Sequence, residues 1–197
     1  MEFGVGKSTA VFNHALLHNE AVHGEFFRTK TRAAYPFKCF SIDDSQHWIE
    51  VTKSSFGHLP CVNFHFSVCR MTTFNDRACT MYDNLPNICP DLIYLDAPHQ
   101  SSPLGDVSGI STNQSDRMPM AADILLFEHF LVPGTLIVVD GRTANARFLR
   151  TNLQRNWRYD YVPEFDQHFF ELRERPLGRF SQAQIAYCLG GDWCQGK

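Results

Sequence analysis

Short apolar runs alternate with segments of helical periodicity along most of the chain. The most uniform apolar run is Thr135–Val139, which is typical of a strand buried on both faces of a sheet. Further strands are predicted at residues 1–3, 37–42, 61–66 and 91–95. This alternation predicts an α/β fold in which helices cover a mostly parallel sheet.

Helical periodicity predicts four helices between these strands. They are expected at residues 7–19, from Ser45 to about Ser55, from Pro119 to about Leu131, and at 144–155. Ser45 is a suitable N-cap for the second helix. In that helix, Trp48, Val51 and Thr52 are expected to face the core.

Three other parts of the chain complete the predicted order. Residues 20–36 are polar and mixed, which predicts a loop or a short helix. Residues 100–115 are rich in Ser, Gly and Asn, as in a mobile loop. The last two predicted strands, at 167–173 and 183–189, are expected to form an antiparallel pair at the edge of the sheet.

Composition narrows the class of protein. The 197 residues suit one domain, 1–197, and a net charge of -3 does not favour a nucleic-acid partner, because phosphate binding needs a basic surplus. The seven cysteines include no C-x-x-C pair and are expected to be buried thiols, as in a cytoplasmic protein. No apolar run approaches the ~18 residues of a membrane span, and no signal peptide is recognised.

The glycine turn at residues 2–9 is open to two interpretations. Residues 6–8, Gly-Lys-Ser, match the end of a phosphate loop, but Met1 stands where that motif has its first glycine. Alternatively, the turn holds an adenosyl ligand, because the acidic Glu2 would repel a phosphate and attract an ammonium group.

Polar side chains follow the other predicted strands. Asp43, Ser67, Asp96 and Asp140 each stand at or just after the end of a strand. Ligands of doubly wound sheets bind at the carboxyl ends of the strands, so these groups are candidate site residues. Asp43 could accept hydrogen bonds from both ribose hydroxyls, or it could simply lie near a helix N-terminus.

Together with the glycine turn, the segments Ser41–Asp43, Pro90–Asp96 and Pro133–Asp140 resemble the class I S-adenosylmethionine-dependent methyltransferases, in order and over nearly the whole chain. The resemblance implies a Rossmann-like three-layer sandwich whose seven-stranded sheet has one antiparallel strand. It also implies S-adenosyl-L-methionine as cofactor. That family has a whole strand before the glycine turn, so the first central strand is expected to be mostly missing here.

The resemblance also implies roles for individual residues. Asp43 would bind the ribose of the cofactor, and Ser67 would contact its adenine. Four residues of the glycine turn would bind its methionine end: Glu2, Gly4, Gly6 and Ser8. Asp96 would lie nearest the reacting methyl group, with His99 as a general base beside it. Asp140 and Arg142 would contact the acceptor, Arg142 through an anionic group.

The expected activity is O-methylation of a small-molecule or sugar-like acceptor. A divalent metal held by Asp96 and Asp140 is possible but not favoured, because Arg142 stands where metal-dependent relatives usually carry another ligand. Two alternatives stay open: a non-catalytic methyltransferase-like binding protein, and a phosphate-loop kinase. The sequence gives no indication of the oligomeric state.

Overall fold

A computed structural model describes residues 1–195 of the chain, with side chains through Trp193. The strands are β1 Glu2–Phe3, β2 Cys39–Asp43, β3 Val62–Phe66, β4 Cys69–Phe74, β5 Arg77–Tyr82, β6 Leu92–Leu95, β7 Leu136–Asp140, β8 Trp157–Val162 and β9 Gln167–Leu172. The helices are α1 Lys7–Lys30, α2 Gln46–Phe56, α3 Asp123–Phe127, α4 Thr143–Asn152 and α5 Arg179–Leu189, with 3-10 turns at Glu128–Phe130 and Gly191–Gln195.

Seven strands form one sheet in the order β3-β2-β1-β6-β7-β9-β8, and β4 pairs with β5 in a separate antiparallel hairpin. The first five strands of the sheet are parallel, whereas β9 runs antiparallel to both of its neighbours. The predicted α/β fold with a mostly parallel sheet is therefore confirmed. The strand order reverses between β1 and β6, which makes this junction the switch point of the sheet.

Alternation along the strands directs side chains to the two faces of the sheet. On one face, Glu2 bonds to the start of α1, and the Tyr94 ring lies 5.6 Å from the Phe12 ring. On the other face, Phe3 and Ile42 join the main hydrophobic core with residues of α3, α4 and the hairpin. Helices therefore lie on both sides of the sheet.

The first strand is short but not absent. Glu2 pairs with Ser41 on one side and Tyr94 on the other. Pairing continues to Met1, whose carbonyl accepts the Tyr94 amide at 3.0 Å and whose amino group donates to the Leu92 carbonyl at 2.7 Å. By this register β2 and β6 begin only one residue before the position of Met1.

The first helix is longer than predicted. It continues through residues 20–30, where a loop or short helix was expected, and ends at Lys30. The second half of α1 packs on α5, where the rings of Phe26 and Tyr187 stack at 3.7 Å.

Strand β9 was predicted to pair with a strand at residues 183–189, and this prediction is wrong. Residues 183–189 belong to α5, and the strand that pairs with β9 is β8. The antiparallel pair itself is present, formed by Trp157–Val162 and Gln167–Leu172. Ile185 of α5 is buried, and its side chain lies against Gly134. The apolar residues of 183–189 predict a strand, but they pack from one face of a helix.

The β4–β5 hairpin was not predicted. Its turn consists of Asn75 and Asp76, both with positive φ, as a two-residue hairpin loop requires. The hairpin covers the core face of β1, where the Tyr82 ring lies 5.8 Å from the Phe3 ring. The adjacent turn-forming residues Asn75 and Asp76 were the sequence signal that could have predicted the hairpin.

Two helix details also differ from the predictions. Ser45 caps α2 by accepting the Trp48 amide at 3.2 Å, as expected, but Trp48 is 55% exposed and Ile49 is buried beside Thr52. The helix expected from Pro119 begins at Asp123, because residues 119–122 instead form backbone bonds with β5. Residues 100–115 form turns and isolated bridges.

The structure provides observations on the predicted absence of a membrane span and on the predicted state of the cysteines. None of the described helices combines the length and the apolar character needed to cross a bilayer. The six cysteines with described side chains are free thiols, four of them buried: Cys39, Cys61, Cys69 and Cys79. A cytoplasmic location stays a prediction.

Asp123 should make stability depend on pH. It is 1% exposed, its Oδ1 accepts the Tyr82 amide at 2.8 Å, and burial raises its pKa to about 7. The folded chain then keeps a proton that the unfolded chain releases above about pH 4. The stabilisation from this proton is complete below about pH 4 and is lost as pH rises to about 7, an effect on the order of 4 kcal/mol.

The test is urea unfolding of the parent chain and of Asp123→Asn between pH 4 and pH 8. The difference in free energy of unfolding between them should shift in favour of the variant as pH rises. Asp76→Asn, in the exposed hairpin turn, is the matched control and should follow the parent. Parallel curves for the parent and Asp123→Asn would contradict this role.

Candidate ligand site at the carboxyl edge of the sheet

The ends of the central strands lie at one edge of the sheet. Phe3 pairs with Ile42 and with Leu95, and Leu95 pairs with Val139. The residues that follow therefore converge at this carboxyl edge: Gly4, Asp43, Ser67, Asp96 and Asp140. The edge contains the switch point between β1 and β6, where doubly wound sheets bind ligands.

Gly4 closes the turn against the end of β6. Its φ is +97°, and its amide donates to the Ile42 carbonyl at 2.8 Å. A Cβ at this position would lie 3.1 Å from the Cβ of Ala97 and 3.3 Å from the carbonyl of Asp96. Both the backbone conformation and the close approach therefore require glycine here.

Gly6 has the opposite surroundings. Its φ of 166° is extended, and no atom lies within 4 Å of the position that a Cβ would take. The turn therefore leaves open space in front of Gly6, directly before the N-terminus of α1. A ligand could approach the backbone closely at this point.

Glu2 lies behind the turn and is completely buried. Its Oε1 accepts the Ser8 hydroxyl at 2.6 Å, and its Oε2 accepts those of Thr9 at 2.8 Å and Ser41 at 2.5 Å. Burial raises the pKa of Glu2, and the three hydroxyls oppose this. The carboxylate holds β1, α1 and β2 together, so direct contact with a methionine ammonium group would require these bonds to break.

Asp43 connects the glycine turn to the start of α2. Its Oδ2 accepts the Val5 amide at 2.9 Å, and its Oδ1 accepts the Ser45 amide at 2.8 Å. The residue is 7% exposed, and burial raises its pKa while the two amides lower it. The structure thus gives Asp43 a positioning task, and ribose binding stays a prediction.

The backbone amides of the turn are already hydrogen-bonded within the protein. Gly4 donates to Ile42, Val5 donates to Asp43, and Gly6 donates to the Thr9 hydroxyl at 3.0 Å. A phosphate loop depends on such amides being directed at the phosphates. These bonds weigh against the phosphate-loop interpretation.

Ser67 is buried at the end of β3. Its amide donates to the Asp43 carbonyl at 3.0 Å, and its hydroxyl accepts the Asn84 amide at 2.9 Å. An Asp44 oxygen and the Tyr82 hydroxyl are buried nearby without a hydrogen-bond partner among the described residues. Tyr82 was not predicted as a site residue. Burial, with a contribution from the Asp44 charge, raises the pKa of Tyr82 well above its usual value.

Asp96 and His99 lie at the surface after β6. The side chain of Asp96 is 56% exposed, and its Oδ1 lies 3.4 Å from Nε of Arg142. Burial of part of the carboxyl and the nearby Asp140 raise the pKa of Asp96, while Arg142 lowers it. The exposed His99 ring accepts the Ser101 amide through Nδ1 at 3.3 Å. His99 is therefore open to solvent.

Asp140 lies beside these residues at the end of β7. It accepts hydrogen bonds from the Tyr94 hydroxyl and, at 3.2 Å, from Nε2 of Gln167. Burial and the Asp140 carboxylate raise the pKa of Tyr94. Within the part of the chain that the structure describes, no group of three His, Cys, Asp or Glu side chains is arranged to hold a metal ion.

Two surface clefts lie away from this edge. One, of about 330 Å³, is formed by α1 and α5 around Phe26 and Tyr187. The other, of about 400 Å³, lies between α4 and the last two strands, beside Arg150 and Tyr159. The candidate site is therefore defined by converging strand ends and not by either cleft.

No protein-family model, curated protein or solved structure matches this chain.

Proposed function

We propose that this chain is an S-adenosylmethionine-dependent methyltransferase with a Rossmann-like fold, acting on oxygen of a small-molecule or sugar-like acceptor. The observation that carries the proposal is the glycine turn. It closes against Asp96 at the switch point and leaves open space in front of Gly6. A seven-stranded sheet with one antiparallel strand, as the resemblance implies, supports it.

Each part of the edge has a task in this proposal. Glu2 and Asp43 hold the turn in shape, so that the backbone at Gly6 can lie close to the ligand. S-adenosylmethionine supplies the electrophilic methyl group. Asp96 lies at the switch point, and His99 is the group suited to remove the acceptor proton near neutral pH. Alignment of the acceptor by these fixed strand ends supplies the remaining contribution to the rate.

Calorimetric titration of S-adenosylmethionine into the full chain tests the proposal. We expect a dissociation constant on the order of micromolar, as is common for binding sites of metabolites. Gly6→Val should weaken binding at least tenfold, because its side chain fills the space before the turn. Gly191→Val, at a second glycine with open space around it and no positive φ, is the matched control and should bind like the parent.

Three results would contradict the proposal. One is no heat of binding with S-adenosylmethionine, and another is equal weakening by both valine variants. The third is tight, magnesium-dependent binding of ATP that Lys7→Ala abolishes, which would favour the phosphate-loop kinase instead. Binding without methyl transfer to any of a panel of hydroxylated acceptors would favour the non-catalytic alternative.

A further inference from the structure

Arg142 is a buried cation at the carboxyl edge whose charge is only partly compensated. The residue is 8% exposed. Its Nη2 donates to the carbonyls of Asp96 at 2.7 Å and Pro98 at 2.9 Å. Nε faces the half-exposed Asp96 carboxylate at 3.4 Å, and Nη1 has no hydrogen-bond partner among the described residues. A buried guanidinium with unused donors is costly unless an anion or a polar ligand completes it.

The position of Arg142 adds a second donor group. Arg142 is the N-cap residue of α4, a helix of ten residues, and no side chain caps that helix. The first amides of α4 therefore follow Arg142 directly in the chain and have no side-chain cap. A helix N-terminus and an arginine both favour negative charge. Both donor groups belong to the segment that follows β7.

The two carboxylates near Arg142, those of Asp140 and Asp96, differ in how firmly they are held. Asp140 is held by Tyr94 and Gln167, so it is not available to move onto Arg142. Asp96 is the exchangeable group, because its side chain is 56% exposed and its contact with Nε is long. An incoming anion would displace Asp96 toward solvent without breaking the two carbonyl bonds of Nη2.

We infer that Arg142 binds an anionic group, a carboxylate or a phosphate, and that the acceptor of the proposed methyl transfer carries this group. The inference on the acceptor rests on the proposed function, whereas the anion site stands on the contacts of Arg142. Nε and Nη1 are the donors that remain for either anion, because both hydrogens of Nη2 stay with the two carbonyls. Arg142 is thus a specificity-determining residue for the substrate.

Anion titrations of the full chain without S-adenosylmethionine test the site. Inorganic phosphate and succinate are the two probes, and they distinguish a phosphate from a carboxylate preference. At least one should bind with a dissociation constant on the order of millimolar. Arg142→Gln should weaken binding at least tenfold, and Arg147→Gln, an exposed arginine on the same helix, should leave it unchanged.

Asp96→Asn provides an independent arm that keeps Arg142 in place. Removing the competing carboxylate should strengthen anion binding several-fold, even if Arg142→Gln fails to fold. Unchanged affinity in Asp96→Asn, no binding of either probe, or equal losses in Arg142→Gln and Arg147→Gln would overturn the inference. Anion binding that depends on Arg142 in a chain that does not bind S-adenosylmethionine would leave the site standing and remove the proposed function.

Discussion

Replacing Gly4 with alanine is expected to destabilise the fold by about 3 kcal/mol. Two effects add: the φ of +97° is strained for any residue with a Cβ, and that Cβ would lie 3.1 Å from Ala97 and 3.3 Å from the Asp96 backbone. The Asp96 carbonyl cannot retreat freely, because Arg142 holds it. The free energy of unfolding in urea, monitored by circular dichroism, measures the loss.

Gly6→Ala is the matched control for Gly4→Ala. It changes the same residue type two positions away, in extended backbone with open space around it. Its expected effect on the free energy of unfolding is under about 1 kcal/mol. Equal effects of the two alanine variants would show that the contact between the glycine turn and Ala97 does not constrain the fold.

Glu2→Ala should destabilise the chain by about 4 kcal/mol, as expected when one member of a buried charged network is removed. Three hydroxyls would lose their acceptor: those of Thr9 and Ser41, which are buried, and that of Ser8, which is half-buried. Glu2→Gln keeps the shape and one acceptor oxygen, so its effect should be about half as large. Chemical unfolding of both variants gives the two values.

Glu50→Ala is the comparison for the Glu2 variants. Glu50 forms an exposed pair with Lys53 at 3.2 Å, so its loss should change the free energy of unfolding by less than about 0.5 kcal/mol. A Glu2→Ala effect as small as that of Glu50→Ala would mean that the hydroxyls find other partners. The carboxylate would then have no positioning task behind the turn.

The parallel part of the fold was predictable because it is determined by local patterns. The buried run before Asp140 and the Ser45 cap both reappear in the structure at the expected places. The wrong predictions concern segments whose structure depends on the element that they pack against. Residues 183–189 are apolar enough for a strand but pack as a helix on α1, and Trp48 is exposed because the phase of α2 turns Ile49 inward.

The sequence predicted where the candidate site residues lie in the sheet, but not which groups their side chains contact. The strand ends predicted that Gly4, Asp43, Asp96 and Asp140 would share one edge, and the register shows that they do. The sequence could not show that Glu2 and Asp43 are already hydrogen-bonded within the protein, because their partners are up to 39 residues away. Nor could it show that Arg142 is buried.

The sequence by itself determined the α/β class, the glycine turn and the polar ends of the parallel strands, because each depends on residue type and short-range spacing. Tertiary structure alone decided the strand order, and with it the switch point beside Gly4. It also decided which charges are buried, since the burial of Glu2, Asp123 and Arg142 depends on elements that are distant in the chain. The pKa of a carboxyl group and the free donors of a guanidinium follow from that burial, and so they become visible only once the chain is folded.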